Sequence, residues 1–170
     1  LLSRLENDKQ IAKNQIIDMP SLMNQLYDDA HAYNIDYGHT LNLDIDSHCD
    51  LIGSDMELAS AFSNLITNAI KYTPNNGDIT ISWQDRGDVS IFSVQDTGIG
   101  ISPEHIPRLT ERFYRVDSGR SRETGGTGLG LAIVKHVLAQ HEAHLEIESQ
   151  EQLGSTFKAV FPKHRLQPPE

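Results

Sequence analysis

The sequence predicts an α/β fold in which a β-sheet is layered against helices. Three observations lead there. Residues 40–46, 78–84, 89–95, 143–149 and 155–161 alternate apolar and polar side chains, the period of half-buried strands. Residues 22–33, 54–72 and 131–139 place apolar side chains three and four apart, the period of amphipathic helices. Ahead of the last of these helices, Gly125-Gly126-Thr127-Gly128-Leu129-Gly130-Leu131 packs four glycines into six positions.

Composition sets the bounds. At 170 residues and 38% apolar, the chain can bury one real core. Its 14 basic and 24 acidic residues leave a net charge of −10, which argues against nucleic acid or an anionic membrane as the main partner. Cys49 is the single cysteine, so no internal disulfide forms, and a reducing compartment fits. There is no long apolar run, signal peptide or low-complexity tract. The opening Leu1-Leu2-Ser3-Arg4-Leu5-Glu6 reads as though cut from inside a helix, so a piece of a larger protein is expected.

In order, residues 1–13 suggest a helix with Leu1, Leu2, Leu5 and Ile11 along one stripe, too short to be stable alone. Residues 15–19 suggest a short strand, and Pro20 sits where a helix starts. Leu22, Met23, Leu26, Tyr27, Ala30 and Tyr33 continue that helix, which residues 34–38 close. After the strand over 40–46 comes a shorter one over 50–53. Ser54 then reads as an N-cap, with Glu57 completing a capping box. The helix that follows buries Leu58, Ala61, Phe62, Leu65, Ile66, Ala69 and Ile70 and closes near Tyr72. Residues 78–84 and 89–95 form a hairpin turned at 85–88, as do 143–149 and 155–161 around 151–154. Residues 164–170 read as a tail.

Four features carry chemistry. The glycine loop meets a helix N-terminus, where free N–H groups and the positive end of the dipole make an anion site. Asn64, Asn68 and Lys71 share one side of the second helix, beside its apolar stripe. Two mid-helix asparagines are poor helix formers, and with the lysine they suggest a polar site rather than a solvated face. Asp96 ends a strand and is followed by Thr97-Gly98-Ile99-Gly100-Ile101, a carboxylate held over open backbone. It can only accept hydrogen bonds, and a nucleobase amino group is one donor it suits. Residues 117–124 carry Arg120 and Arg122 with almost no apolar side chain, the composition of a cationic lid.

Taken together these motifs resemble the sensor histidine kinases. Residues 64–74 (Asn-Leu-Ile-Thr-Asn-Ala-Ile-Lys-Tyr-Thr-Pro) resemble the N box, residues 96–101 the first glycine box, Arg112-Phe113-Tyr114-Arg115 the F box, and residues 126–131 the second glycine box. Gly154-Ser155-Thr156 resembles a weaker third glycine box. The resemblance covers about residues 35–162 and implies a Bergerat-type ATP-binding fold, a two-layer α/β sandwich. In that fold a mixed sheet of about five strands carries three helices on one face, with a helix stub at the N-terminus. Residues 1–13 would be the end of a dimerising hairpin, 14–163 the catalytic ATP-binding domain, and 164–170 a tail.

The resemblance also implies roles. Asn68 would hold Mg²⁺ on the ATP phosphates, supported by Asn64 one turn earlier. Lys71 would reach phosphate and Tyr72 would border adenine. Asp96 would accept from the adenine amino group, and Gly98, Gly100 and Ile101 would line the base pocket. Arg115 and Arg122 would approach the γ-phosphate. Gly126, Thr127, Gly128, Leu129 and Gly130 would contact phosphates, and Thr156 would border the base. Related ATP hydrolases such as gyrase, Hsp90 chaperones and MutL carry a water-activating glutamate where this chain has Asn64, which cannot act as a base. The resemblance therefore implies ATP held for transfer to a histidine, here upstream of the chain, and onward relay to a response regulator.

Residues 103–117, with Ser121-Arg122 and Thr124-Gly125-Gly126, resemble the phosphate-regulon branch of these kinases. That implies a homodimeric, membrane-anchored bacterial sensor with this domain in the cytoplasm. Three other readings stay open: a nucleotide-binding regulatory module without phosphotransfer, an anti-sigma-type serine kinase, which Asn64 disfavours, and a plain protein-interaction domain, which would leave the lid arginines and the asparagine pair unexplained. His136, His141 and His144 invite a metal reading, but a solvated helix end is the expectation.

Overall fold

The structure is a computed structural model that describes residues 14–111 and 130–169. The expected helix over residues 1–13, the F box and most of the second glycine box lie outside the described residues. In chain order the elements are β1 (Gln15–Ile17), α1 (Met19–Tyr33), β2 (Thr40–Ile45), β3 (Asp50–Gly53), α2 (Asp55–Tyr72), β4 (Asp78–Arg86) and β5 (Val89–Asp96). After a 3₁₀ turn (Ile106–Arg108) come α3 (Gly130–Gln140), β6 (His144–Gln150), β7 (Gly154–Phe161), a second 3₁₀ turn (Lys163–Arg165) and β8 (Leu166–Gln167).

The larger sheet has five strands in the order β2-β4-β5-β7-β6. β2 runs parallel to β4, since α2 crosses over between them, and the other pairs are antiparallel. Alternation sorts its two faces. Ile79, Ile81, Trp83, Phe92, Val94, Ala159 and Phe161 share one face and are buried. Thr80, Gln84, Gln95 and Lys158 point the other way. α2 lies over the apolar face of β4 and β5, flanked by α1 towards β2 and α3 towards β6. The expected mixed five-stranded sheet with three helices is therefore present.

Phe62 anchors the core between the layers. Its ring stacks on Phe92 at 4.1 Å between centroids and meets Phe161 edge-on at 5.9 Å. Trp83, fully buried, satisfies its indole N–H on Cys49 O at 3.0 Å. All seven apolar residues expected on the buried stripe of α2 are buried.

Helix ends follow their caps. Asp18 accepts from Ser21 N, Pro20 lies in the first turn of α1, and Met19 N donates to Asp50 Oδ1 at 3.0 Å. Ser54 caps α2 by accepting from Glu57 N at 3.3 Å. The returning half of the capping box is absent. Ser54 N donates instead to His141 Nε2 at 3.0 Å, and Glu57 Oε2 is buried without a partner. His141 corrects a second expectation, because it is fully buried rather than part of a solvated helix end. Its Nδ1 donates to Val137 O at 2.8 Å while Nε2 accepts from Ser54, so the ring is a neutral strut between α3 and the α2 cap. A Cβ on Gly53 would lie 2.4 Å from the His141 ring, so the strut requires glycine there. His136 and His144 are exposed as expected, and among the described residues no cluster of metal-ligating His, Cys, Asp or Glu forms.

A second sheet, β1-β3-β8, was not legible. Its last strand comes from the stretch expected to be a tail: Leu166 pairs with Leu51, and Gln167 with Asp50. Glu142, at φ 59 just past α3, fastens it through His164 Nε2 at 2.5 Å and Arg165 Nη2 at 3.0 Å. Those two hydrogen bonds, His164 first, hold the Glu142 carboxyl below its usual range. No described helix is long and apolar enough to cross a membrane.

Candidate functional site

The site is built along the polar side of α2, with the β5 loop at one end and the start of α3 beside its middle. Asn64, Asn68 and Lys71 are half-buried, and Tyr72 at the helix end is 49% exposed. A Cβ on Gly130 would sit 3.6 Å from Asn64 Oδ1 and 3.9 Å from Asn68 Nδ2. The first residue of α3, where the glycine loop ends, therefore faces the asparagine pair. Among the described residues neither asparagine side chain has a hydrogen-bond partner.

At the other end, Thr73 caps α2, and the turn over 74–77 leads to β4. Asp96 Oδ1 accepts from Gly98 N at 2.9 Å and from Ser155 N at 3.2 Å. One carboxylate oxygen is thus fixed internally and Oδ2 is left for something else. Burial pushes the Asp96 carboxyl above its usual range, and the two N–H donors and nearby His39 only partly offset this. Gly98 is buried, and a Cβ on it would lie 3.0 Å from Asp96 Oδ1 and 3.2 Å from Thr73 Oγ1. Close backbone packing between the β5 loop and the end of α2 therefore needs glycine. Thr73 Oγ1 is buried and has no hydrogen-bond partner, a polar group awaiting one.

His39 holds these parts in register. It is buried, its Nε2 donates to Ile70 O at 2.9 Å, and its Nδ1 accepts from Gly77 N at 3.0 Å. It joins the last turn of α2 to the start of β4. Tyr33, Tyr37 and His39 stack in sequence behind it at 5.9 and 5.8 Å. An open pocket of about 300 Å³ lies at the mouth of β5, β6 and β7, lined by Asp96, Ser149, Leu153, Ser155 and Thr156 among others.

Of the sequence candidates within the described residues, Asn64 and Asn68 face Gly130, Asp96 and Gly98 lie against Thr73, and Gly100 and Ile101 pack on the β6–β7 hairpin, while Lys71 and Tyr72 stand at the end of α2. Thr156 lies at the pocket but on the opposite face of β7 from Ser155. Ser155 pairs with Asp96, and its backbone N–H donates to that carboxylate, while its hydroxyl lies against Ser149 Oγ. Arg115, Arg122, Gly126, Thr127, Gly128 and Leu129 lie outside the described residues. Sequence reasoning passed over Thr73, His39 and Ser155. Thr73 and Ser155 stood inside the N-box and third glycine-box stretches without a role of their own, whereas His39 carried no signal.

The residues present fit a nucleotide and a divalent cation. An asparagine carbonyl is a hard oxygen ligand that leaves phosphate charge uncancelled, and the two side-chain amides face the end of the glycine loop. About 13 Å of helix separates Asn64 from Thr73, at 1.5 Å per residue. That separates the asparagine end of the site from the Asp96 end.

Comparison with known proteins agrees. Residues 53–165 match the family model for histidine kinase-, DNA gyrase B- and HSP90-like ATPases. The chain is 51% identical over 161 residues to the phosphate regulon sensor protein PhoR of Pseudomonas aeruginosa, covering 95% of this chain and 36% of that protein. It is 39% identical to the sensor-like histidine kinase SenX3 of Mycolicibacterium smegmatis, covering 96% of this chain and 42% of that one. The chain thus spans well under half the length of these relatives. A mycobacterial sensor histidine kinase, MprB, shares the fold at a TM-score of 0.77 and 24% identity, covering 92% of this chain and 99% of that one. Full-length ShkA in complex with AMPPNP does so at 0.77 and 23%, covering 92% of this chain and 32% of that one. The chain belongs to the histidine kinase-, DNA gyrase B- and HSP90-like ATPase family.

Proposed function

We propose that this domain binds Mg²⁺·ATP and passes the γ-phosphate to a histidine on a dimerising helical hairpin that precedes it in the whole protein. A response regulator aspartate would receive the phosphate from that histidine. The observation that carries the reading is the pair Asn64 and Asn68, both without side-chain partners among the described residues and both facing the start of α3. Asn68 would hold the cation, which neutralises charge developing on the transferred phosphoryl group. Asn64 stands where a carboxylate would be needed to activate water, so this position favours transfer to an external nucleophile over hydrolysis. Lys71 would balance phosphate charge. Asp96 Oδ2 would accept from the adenine amino group, and Tyr72 would border the ring. Ser155, more than Thr156, would border the base from the sheet side. Arg115, Arg122 and the backbone of residues 126–130 would enclose the phosphates.

The identity to phosphate regulon sensor proteins supports a role in phosphate-starvation signalling on the cytoplasmic side of a bacterial inner membrane, in a homodimer. The test mixes this chain, γ-labelled ATP and the separately made hairpin. Label on the hairpin histidine is the expected result. ATP binding with no transfer, even when the hairpin is fused in sequence ahead of residue 14, would favour a nucleotide-binding regulatory module instead.

A further inference from the structure

The β5 loop is fastened to the β6–β7 hairpin at three points. Asp96 Oδ1 accepts from Ser155 N, Ile99 O accepts from Gln152 N at 2.7 Å, and Ser149 Oγ accepts from Ile101 N at 2.7 Å. Two glycines bring the backbones together. A Cβ on Gly100 would lie 2.2 Å from Gln150 O, and one on Gly154 would lie 2.1 Å from Asp96 O. Both glycines have positive φ, at 74 and 125. The loop that carries Asp96 and Gly98 is therefore shaped as much by the hairpin as by its own sequence.

Ser149 is the polar centre of this clamp. Besides Ile101 N, its Oγ lies 2.8 Å from Ser155 Oγ and 3.2 Å from Gly154 O. A hydroxyl has one proton and two lone pairs. All four groups are satisfied when Ile101 N–H takes one lone pair, the Ser149 proton goes to Gly154 O, and Ser155 O–H donates to the second lone pair. Ser155 then turns its own lone pairs away from Ser149. Its backbone N–H, meanwhile, is fixed on Asp96.

We infer that Ser149 is a positioning residue for the base end of the nucleotide site. Its hydroxyl is engaged by protein groups alone: Ile101 N, Ser155 Oγ and Gly154 O. It sets the Ile101 amide and the Ser155 hydroxyl, and through them the carboxylate of Asp96 and the backbone of Gly98 against the base. The inference rests on the nucleotide reading above, and it adds a residue on an edge strand that no motif marks.

The test compares the unaltered 170-residue chain with Ser149→Ala and Ser149→Thr. Calorimetry measures ATP and GTP affinities with Mg²⁺, and amide exchange follows Gly98 and Ile101. Loss of one such support is expected to weaken ATP about tenfold in Ser149→Ala. The ATP-to-GTP ratio narrows and Ile101 exchanges faster, while Ile81 and Phe92 keep their protection. Ser149→Thr retains the hydroxyl and restores both affinity and ratio. An unmoved ratio in Ser149→Ala, or a threonine variant as weak as the alanine one, overturns the inference and leaves the nucleotide reading standing. An unaltered chain that binds neither nucleotide overturns both.

Discussion

The two ends of α2 are built differently. At the Thr73 end, the groups that shape the site are tied down before a ligand arrives, and Thr73 Oγ1 and Asp96 Oδ2 are the polar atoms left over. Asp96 Oδ1 has two N–H donors, His39 has both ring nitrogens engaged, and the loop is clamped to the hairpin. At the Asn64 end, two side-chain amides and the first residue of α3 face one another with no bond between them. The contrast separates recognition from binding strength. A preorganised end discriminates because a mismatched base leaves fixed groups unpaired. An end of oxygen ligands suits charge, and in the proposed function the cation and phosphates would complete it.

Breaking the open end should have the largest effect. Asn68→Ala is expected to weaken Mg²⁺·ATP binding on the order of a hundredfold, with adenosine affinity unchanged. Calorimetry with both ligands checks this, and an equal loss for adenosine would erase the distinction between the ends.

Breaking the fixed end should change choice more than strength. In Asp96→Asn the side-chain oxygen can keep the Gly98 and Ser155 bonds while the amide presents a donor to the base. The ATP-to-GTP affinity ratio is then expected to shift by about a hundredfold, as two hydrogen-bond polarities reverse at roughly 1–1.5 kcal/mol each. A competition titration reads it, and an unchanged ratio contradicts the role of Oδ2.

A pH series sharpens the same point. Burial raises the Asp96 carboxyl above the ordinary range, so the fold binds that proton more tightly than the unfolded chain does. Two consequences follow. ATP affinity should fall on acidification with a midpoint above the ordinary aspartate value, a step absent from Asp96→Asn. The ligand-free fold should lose a little stability as the pH rises from the ordinary aspartate value through the raised one.

The smallest effect belongs far from either end. Glu142 is held below its usual range, so its contribution is present at neutral pH and lost as the pH falls through its folded value. Glu142→Gln should speed amide exchange at Leu166 and leave ATP binding unaltered. A drop in ATP affinity would mean that the small sheet is coupled to the site.

The large sheet and the buried stripe of α2 were legible because alternation and three-to-four spacing encode which face is buried. Asn64, Asn68 and Asp96 were legible because each breaks a local preference, asparagines within a helix and a carboxylate before glycines. β8 was not, because its two residues take their strand identity from pairing with Asp50 and Leu51, a long-range contact. The buried His141 was hidden for a related reason. Its partner Ser54 lies 87 residues away, and the space it fills exists only because Gly53 has no side chain. Glu57 shows the limit of a local motif: the capping box is present in sequence, but His141 takes the N–H that Glu57 would have bonded.

The most direct measurement is a calorimetric titration of the chain with ATP and GTP, each with and without Mg²⁺. The account predicts that ATP binds more tightly than GTP and that Mg²⁺ strengthens ATP binding. Equal affinities for ATP and GTP, with no response to Mg²⁺, would contradict it at both ends of α2.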